Sequence, residues 1–78
     1  MRNIIVVTGG AGFIGSNLIK YLLKKTNLKI ISIDNYSTGK IKNHIDHKNI
    51  MYINGENINI SKILKKTKKK IKVIFHFG

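Results

Sequence analysis

The sequence predicts an α/β fold built on a parallel sheet, and three observations point to this class. Residues 4–7 are all apolar and β-branched, which is typical of a strand buried inside a parallel sheet. A glycine-rich turn follows them and leads into a stretch with apolar residues at helical spacing. A second, mostly apolar run covers residues 28–33 and ends at Asp34. Strand, turn, helix and strand in this order form a βαβ unit.

The helix between the two strands is predicted to be amphipathic, with one side packed on the sheet. Its buried face is expected to consist of Phe13, Ile14, Leu18, Tyr21 and Leu22. Most polar residues fall on the other side, which is expected to face solvent and carries Ser16, Asn17, Lys20 and Lys24. Tyr21 is therefore expected in the core, with at most its hydroxyl in water.

The glycine-rich turn predicts a site for the pyrophosphate of a dinucleotide. Gly9 lets the chain turn sharply off the strand, Gly12 lets the backbone approach the phosphates, and Gly15 lets the helix pack closely on the sheet. The first N–H groups of the helix lack partners within the helix, and the helix dipole is positive at this end. An anion can therefore bind there without a cationic side chain.

The acid at the end of the second strand indicates which dinucleotide is bound. Asp34 follows the turn at about the 20-residue spacing expected for a carboxylate that accepts hydrogen bonds from the adenosine ribose. Its charge would repel the extra phosphate of NADP, so NAD is favoured. Lys40 and Lys42 follow soon after and could soften this discrimination.

These motifs resemble a known family. Residues 8–18 are similar to the fingerprint of the extended short-chain dehydrogenase/reductases, in particular the NAD-dependent epimerase/dehydratase family that acts on nucleotide sugars. Residues 34–39 resemble the cofactor loop of its UDP-glucose 4-epimerase and UDP-glucuronate decarboxylase branches. Residues 49–57 are similar to the third strand with its adenine-contacting end, and residues 73–78 to the fourth strand.

The resemblance implies a Rossmann-type parallel sheet of about four strands in the order 3-2-1-4, with two to three helices on its faces. A chain of 78 residues is short for a complete domain of this kind. We therefore expect residues 1–78 to be the N-terminal part of a single NAD-binding domain, with part of one face and the edge of the fourth strand bare.

The resemblance also implies a set of cofactor-binding residues. Phe13 and Ile14 would lie beside the pyrophosphate, and Asp34 would bind the adenosine ribose. The loop that wraps this side of the cofactor would comprise Asn35, Tyr36, Ser37, Thr38 and Gly39. Glu56 and Asn57 would contact the adenine, or Asn57 and Ile58 if the alignment shifts by one residue. Phe77, in the fourth-strand segment, completes the predicted set.

No catalytic residue is predicted within the chain. The resemblance implies a tyrosine and a lysine four residues apart, with a serine or threonine, all beyond Gly78. Tyr21 with Lys25, and Tyr36 with Lys40, have the same spacing but are expected far from the nicotinamide. The 78 residues alone are therefore expected to be inactive, and the nucleotide-sugar substrate and a homodimer are expected only for a full-length parent.

Two other functions remain open from the sequence. One is a stand-alone dinucleotide-binding module without catalysis. The other is a nucleic-acid-binding protein, because 15 basic residues against three acidic ones give a net charge of +12. Isoleucine, lysine and asparagine make up half of the chain throughout its length, however, and the lysine run 65–70 has no interleaved aromatic residues. The nucleic-acid interpretation is therefore less favoured.

The remaining polar residues do not predict a metal or redox site. His44, Asp46 and His47 lie together but lack a supporting ligand cluster, so a solvated loop is favoured. His76 is expected to be a hydrogen-bonded core residue. The chain has no cysteine, and its sequence contains neither a signal-peptide pattern nor an apolar run of membrane-spanning length. A cytoplasmic protein is expected.

Overall fold

The computed structural model describes residues 2–35, 41–55 and 60–77, without the side chain of residue 60. Four strands and two helices follow in the order β1 (Ile4–Thr8), α1 (Phe13–Lys25), β2 (Lys29–Asp34), β3 (Ile50–Asn54), α2 (Ile60–Thr67) and β4 (Ile71–His76). Short 3₁₀ turns, Ile41–Asn43 and Lys68–Lys70, precede β3 and β4.

The four strands form one parallel sheet with the order β3-β2-β1-β4. The predicted fold class and strand order are confirmed. In the register of the central pair, Thr8 lies beside Ile33. The glycine turn that follows Thr8 and the acid that follows Ile33 therefore leave the sheet at the same edge, as parallel strands require.

Successive residues of β1 contribute to two hydrophobic clusters on opposite faces of the sheet, because side chains alternate along a strand. Ile5 and Val7 belong to the cluster that includes Ile19 and Leu22 of α1. Ile4 and Val6 belong to the other cluster, against which Ile63 of α2 packs. The two helices thus lie on opposite faces of the sheet.

The predicted buried face of α1 was partly wrong. Ile19, absent from the prediction, is fully buried and Leu22 is 9% exposed, whereas Phe13, Ile14 and Tyr21 are 80%, 65% and 57% exposed. Ser16, expected on the solvent side, is also buried. The expectation of a core Tyr21 is therefore wrong.

The packing of Gly15 explains the rotation of α1 about its own axis, and so which of its side chains face the sheet. A side chain at Gly15 would overlap the backbone of Gly9 and Gly10, so this side of the helix must face the turn. At about 100° per residue, Ile19 falls within about 40° of the same direction, whereas Tyr21 falls about 120° away. The contact between helix and turn thus sets which residues of α1 are buried.

The outer strand β4 is poorly covered. Val73 and Ile74 are adjacent and therefore point to opposite faces of the sheet. They are 37% and 58% exposed, so β4 is partly bare on both faces, whereas only one bare face was expected. Within the described ranges, neither helix is long and apolar enough to cross a membrane.

The burial of α1 predicts a large effect for one substitution and a small effect for another nearby. Ile19→Ala should lower the free energy of unfolding by about 2–5 kcal/mol, because it leaves a cavity in the core. Tyr21→Ala should change it by about 0.5 kcal/mol or less, since that side chain is mostly exposed. Urea unfolding followed by circular dichroism measures both. Equal losses would contradict the observed rotation of α1.

Candidate dinucleotide site

The glycine turn is tied to the end of β2. Gly9 has a φ of 77°, a left-handed conformation that favours glycine. Its N–H donates to the carbonyl of Ile33 over 2.7 Å, and its own carbonyl accepts from the N–H of Gly12 over 3.2 Å. The sharp departure from β1 is therefore fixed by one backbone hydrogen bond to the neighbouring strand and one within the turn.

The glycine that packs on the sheet is Gly10, and not Gly15 as the sequence suggested. A Cβ at Gly10 would overlap the hydroxyl of Ser32 on β2 and approach Ile19 to 2.9 Å. Gly15 instead packs against the backbone of the turn itself. Gly10 therefore sets the approach of the turn to the sheet, and Gly15 sets the approach of the helix to the turn.

Gly12 is the one glycine of this turn that the described chain does not require on steric grounds. Its backbone is extended, with φ of −80° and ψ of 176°, which any residue can adopt. A Cβ there would meet only the carbonyl oxygen of Gly9, at 3.4 Å, an ordinary contact. The space beside Gly12 is therefore open to a ligand, and a side chain would reduce it.

The first turn of α1 presents backbone donors to this open space. Gly12 is the N-cap residue and has no side chain that could cap the helix, and the first turn of α1 contains no acidic residue. The first hydrogen bond within the helix runs from the N–H of Ser16 to the carbonyl of Gly12, over 2.9 Å. The N–H groups between these two residues therefore have no acceptor within the helix. The exposed side chains of Phe13 and Ile14 flank this end of the helix. The arrangement suits an anion.

Asp34 joins the turn to the end of β2. The residue is only 8% exposed, and its carboxylate accepts a hydrogen bond from the N–H of Ala11 over 3.0 Å. Its backbone carbonyl accepts from the N–H of Gly55, which follows β3, over 2.8 Å. A cleft of about 220 Å³ opens beside it, lined by Thr8, Gly9, Ile33, Asp34, Asn35, Gly55 and His76.

A second side chain holds the turn from the segment before β3. The amide of Asn43 donates to the carbonyl of Ala11 over 2.8 Å. Next to it, the N–H of Ile45 donates to the hydroxyl of Tyr52 over 2.9 Å. Burial raises the pKa of Tyr52, and this hydrogen bond partly offsets the effect. Sequence reasoning missed Asn43 because its partner lies 32 residues away and no local motif marks the pair.

At the far side of the cleft, β1 and β4 are joined through Thr8. Its hydroxyl lies 2.7 Å from Nδ1 of His76, and its carbonyl accepts from the N–H of Phe77 over 3.0 Å. His76 is hydrogen-bonded as expected, but it is exposed and not a core residue. It lies at the end of the poorly covered strand β4. Phe77 is 45% exposed beside it.

Residues 5–78 match the NAD dependent epimerase/dehydratase family. The chain belongs to this family. It is 36% identical over 56 residues to a low-salt glycan biosynthesis protein of Haloferax volcanii, a match that covers 67% of this chain and 18% of that protein. The predicted family is therefore confirmed, and it is a family that depends on NAD.

Solved structures of related enzymes share this fold. A dTDP-glucose 4,6-dehydratase from Bacillus anthracis, solved with NAD, is 38% identical, with a TM-score of 0.78 over 96% of this chain and 26% of that one. A UDP-glucose 4-epimerase from Thermotoga maritima, solved with UDP-glucose, is 30% identical, with a TM-score of 0.72 over 96% of this chain and 24% of that one. The chain thus spans about a quarter or less of the length of these relatives.

Several predicted site residues lie outside the described residues. They belong to the segments that follow β2 and β3 and comprise Tyr36, Ser37, Thr38, Gly39, Glu56 and Asn57, with Lys40 and Ile58 beside them. The described neighbours of these segments, Asn35 and Gly55, both line the cleft. The adenosine loop and the adenine contacts of this family member therefore stay predictions.

The other candidate groups of the sequence lie away from the cleft. The ammonium of Lys25 is 5.9 Å from the centre of the Tyr21 ring, on the last turns of α1. Lys68–Lys70 directly precede β4, at the edge of the sheet opposite the cleft. Across the described ranges, no three histidine, aspartate or glutamate side chains group as metal ligands. His44 instead stacks on Tyr52, with ring centres 3.8 Å apart.

Proposed function

We propose that this chain binds NAD and forms the N-terminal, cofactor-binding part of the Rossmann domain of a nucleotide-sugar epimerase or dehydratase. One observation carries the proposal, namely the 3.0 Å hydrogen bond from the Ala11 N–H to the Asp34 carboxylate. It holds a turn suited to phosphate and a carboxylate suited to ribose at one cleft. The NAD complex of the related dTDP-glucose dehydratase supports the same cofactor.

The pyrophosphate would bind at the start of α1. The open space beside Gly12 fits an approaching phosphate, whereas a Cβ would occupy part of it. The first N–H groups of the helix and its dipole favour negative charge, so they would replace part of the hydration of the pyrophosphate. Phe13 and Ile14, with exposed side chains at this end, would lie alongside it.

The adenosine ribose would bind at Asp34. The carboxylate already accepts the N–H of Ala11, which fixes its orientation in a nearly buried position. A buried negative charge at this point would repel the 2′-phosphate of NADP more strongly than an exposed one, because the local dielectric constant is lower. The proposal therefore includes a preference for NAD.

We assign none of the sugar chemistry to the residues that the structure describes. NAD, when bound, supplies a reversible hydride acceptor. The described residues that line the cleft include no tyrosine and no lysine. Tyr21 and Lys25, which have the spacing of a catalytic pair, lie on the exposed side and the last turn of α1. This chain would therefore bind and orient the cofactor, and a nucleotide sugar would be a substrate only of a longer parent.

The steric roles of two glycines provide the first test. Gly12→Ala should weaken NAD binding about tenfold or more, because the Cβ enters the space for the phosphates, and should leave the thermal unfolding midpoint nearly unchanged. Gly10→Ala should instead destabilise the fold by about 1–3 kcal/mol, since its Cβ overlaps Ser32. Isothermal titration calorimetry and thermal unfolding measure the two effects. Unchanged NAD affinity in a folded Gly12→Ala chain would contradict the proposed pyrophosphate site.

The charge of Asp34 provides the second test. Asp34→Asn keeps an oxygen that can accept the Ala11 N–H but removes the negative charge. The wild-type chain should bind NAD about tenfold or more tightly than NADP, and the variant should lose most of this difference. Competition titrations with both dinucleotides give the ratio. An equal ratio in the two chains would show that Asp34 does not set the preference.

A further inference from the structure

Both polar groups of the Ala11 backbone are held by side chains. Its N–H donates to Asp34 over 3.0 Å, and its carbonyl accepts from the Asn43 amide over 2.8 Å. Ala11 is fully buried, so water does not compete for either group. The middle of the glycine turn is therefore clamped between the residue that ends β2 and a residue of the segment before β3.

Asn43 is itself firmly placed. The next residue, His44, stacks on Tyr52 with an interplanar angle of 7°. Ile45 donates its N–H to the Tyr52 hydroxyl over 2.9 Å and packs against the core cluster beneath α1. Tyr52 belongs to β3, so the sheet fixes the segment that carries Asn43. The amide is thus presented to the turn by the fold and not by a freely rotating loop.

The bond from Asn43 acts on the peptide group next to Gly12. The Ala11 carbonyl and the Gly12 N–H belong to the same planar peptide unit, so fixing one fixes the other. That N–H donates to the Gly9 carbonyl over 3.2 Å, and the Gly12 carbonyl accepts the N–H of Ser16 in α1. Turning this unit would therefore reorient the backbone at the start of α1.

We propose that Asn43 is a positioning residue for the NAD site: by holding the peptide between Ala11 and Gly12, it orients the N–H groups at the start of α1 that would bind the pyrophosphate. The inference rests on the proposed NAD binding. It does not require Asn43 to touch the ligand. It assigns a positioning role to a residue outside both the glycine turn and the loop that follows Asp34.

Two substitutions at Asn43 distinguish the effect of losing its hydrogen bond from the effect of losing its side-chain volume. Asn43→Ala removes both, and Asn43→Leu removes the donor but keeps a side chain of similar size, without adding charge. Asn27, an exposed residue between α1 and β2, offers the matched control Asn27→Ala. Calorimetric titration of the 78-residue chain with NAD gives the affinities. Thermal unfolding and the ¹⁵N chemical shift of Gly12, which senses hydrogen bonding of the preceding carbonyl, report on the fold and on the contact.

Both Asn43 variants should bind NAD about two- to tenfold more weakly than the wild type, the factor that corresponds to one neutral hydrogen bond. They should stay folded, with a thermal midpoint lowered by about 5–15 °C because the buried Ala11 carbonyl loses its partner. They should also show a displaced Gly12 ¹⁵N resonance, whereas Asn27→Ala should match the wild type in all three measurements. Wild-type affinity in Asn43→Leu would overturn the inference, as would loss of folding in both Asn43 variants. A wild-type chain that does not bind NAD would refute the proposed function itself, and this inference with it.

Discussion

The hydrogen bond from the Ala11 N–H to the Asp34 carboxylate joins the parts on which the site depends. It is buried and involves a charged acceptor, so its net contribution is about 1.5–3 kcal/mol. It closes only because β1 and β2 are parallel and in a register that brings Thr8 beside Ile33. The parallel sheet thus places the turn beside the acid, and the bond fixes their separation.

None of the described lysines lines the cleft. The chain carries +12, yet the described residues that line the cleft include an aspartate and no lysine. Lys68–Lys70 stand at the opposite edge, directly before β4. An anion at the glycine turn would therefore be bound chiefly by backbone N–H groups and the helix dipole, with the lysines adding a long-range attraction that salt screens.

How far the sequence predicts this molecule depends on the range of each interaction. The strands β1 and β2 were predictable because runs of mostly apolar, β-branched residues mark buried parallel strands, and the turn was predictable because its glycines lie within seven residues of each other. The rotation of α1 was not, since it is set by the contact of Gly15 with the backbone of Gly9 and Gly10. Asn43 was not predictable either, because its bond to Ala11 is long-range and no local pattern announces it.

An NMR titration of the ¹⁵N-labelled chain with NAD at moderate salt would locate the bound dinucleotide. The amide resonances of Gly12, Phe13 and Ile14 should shift most. Those of Lys29 and Lys70, at the opposite edge of the sheet, should change little. Shifts centred on Lys68–Lys70, with the resonances of the glycine turn unmoved, would contradict the proposed pyrophosphate site and would indicate charge-driven binding of an anion outside the cleft.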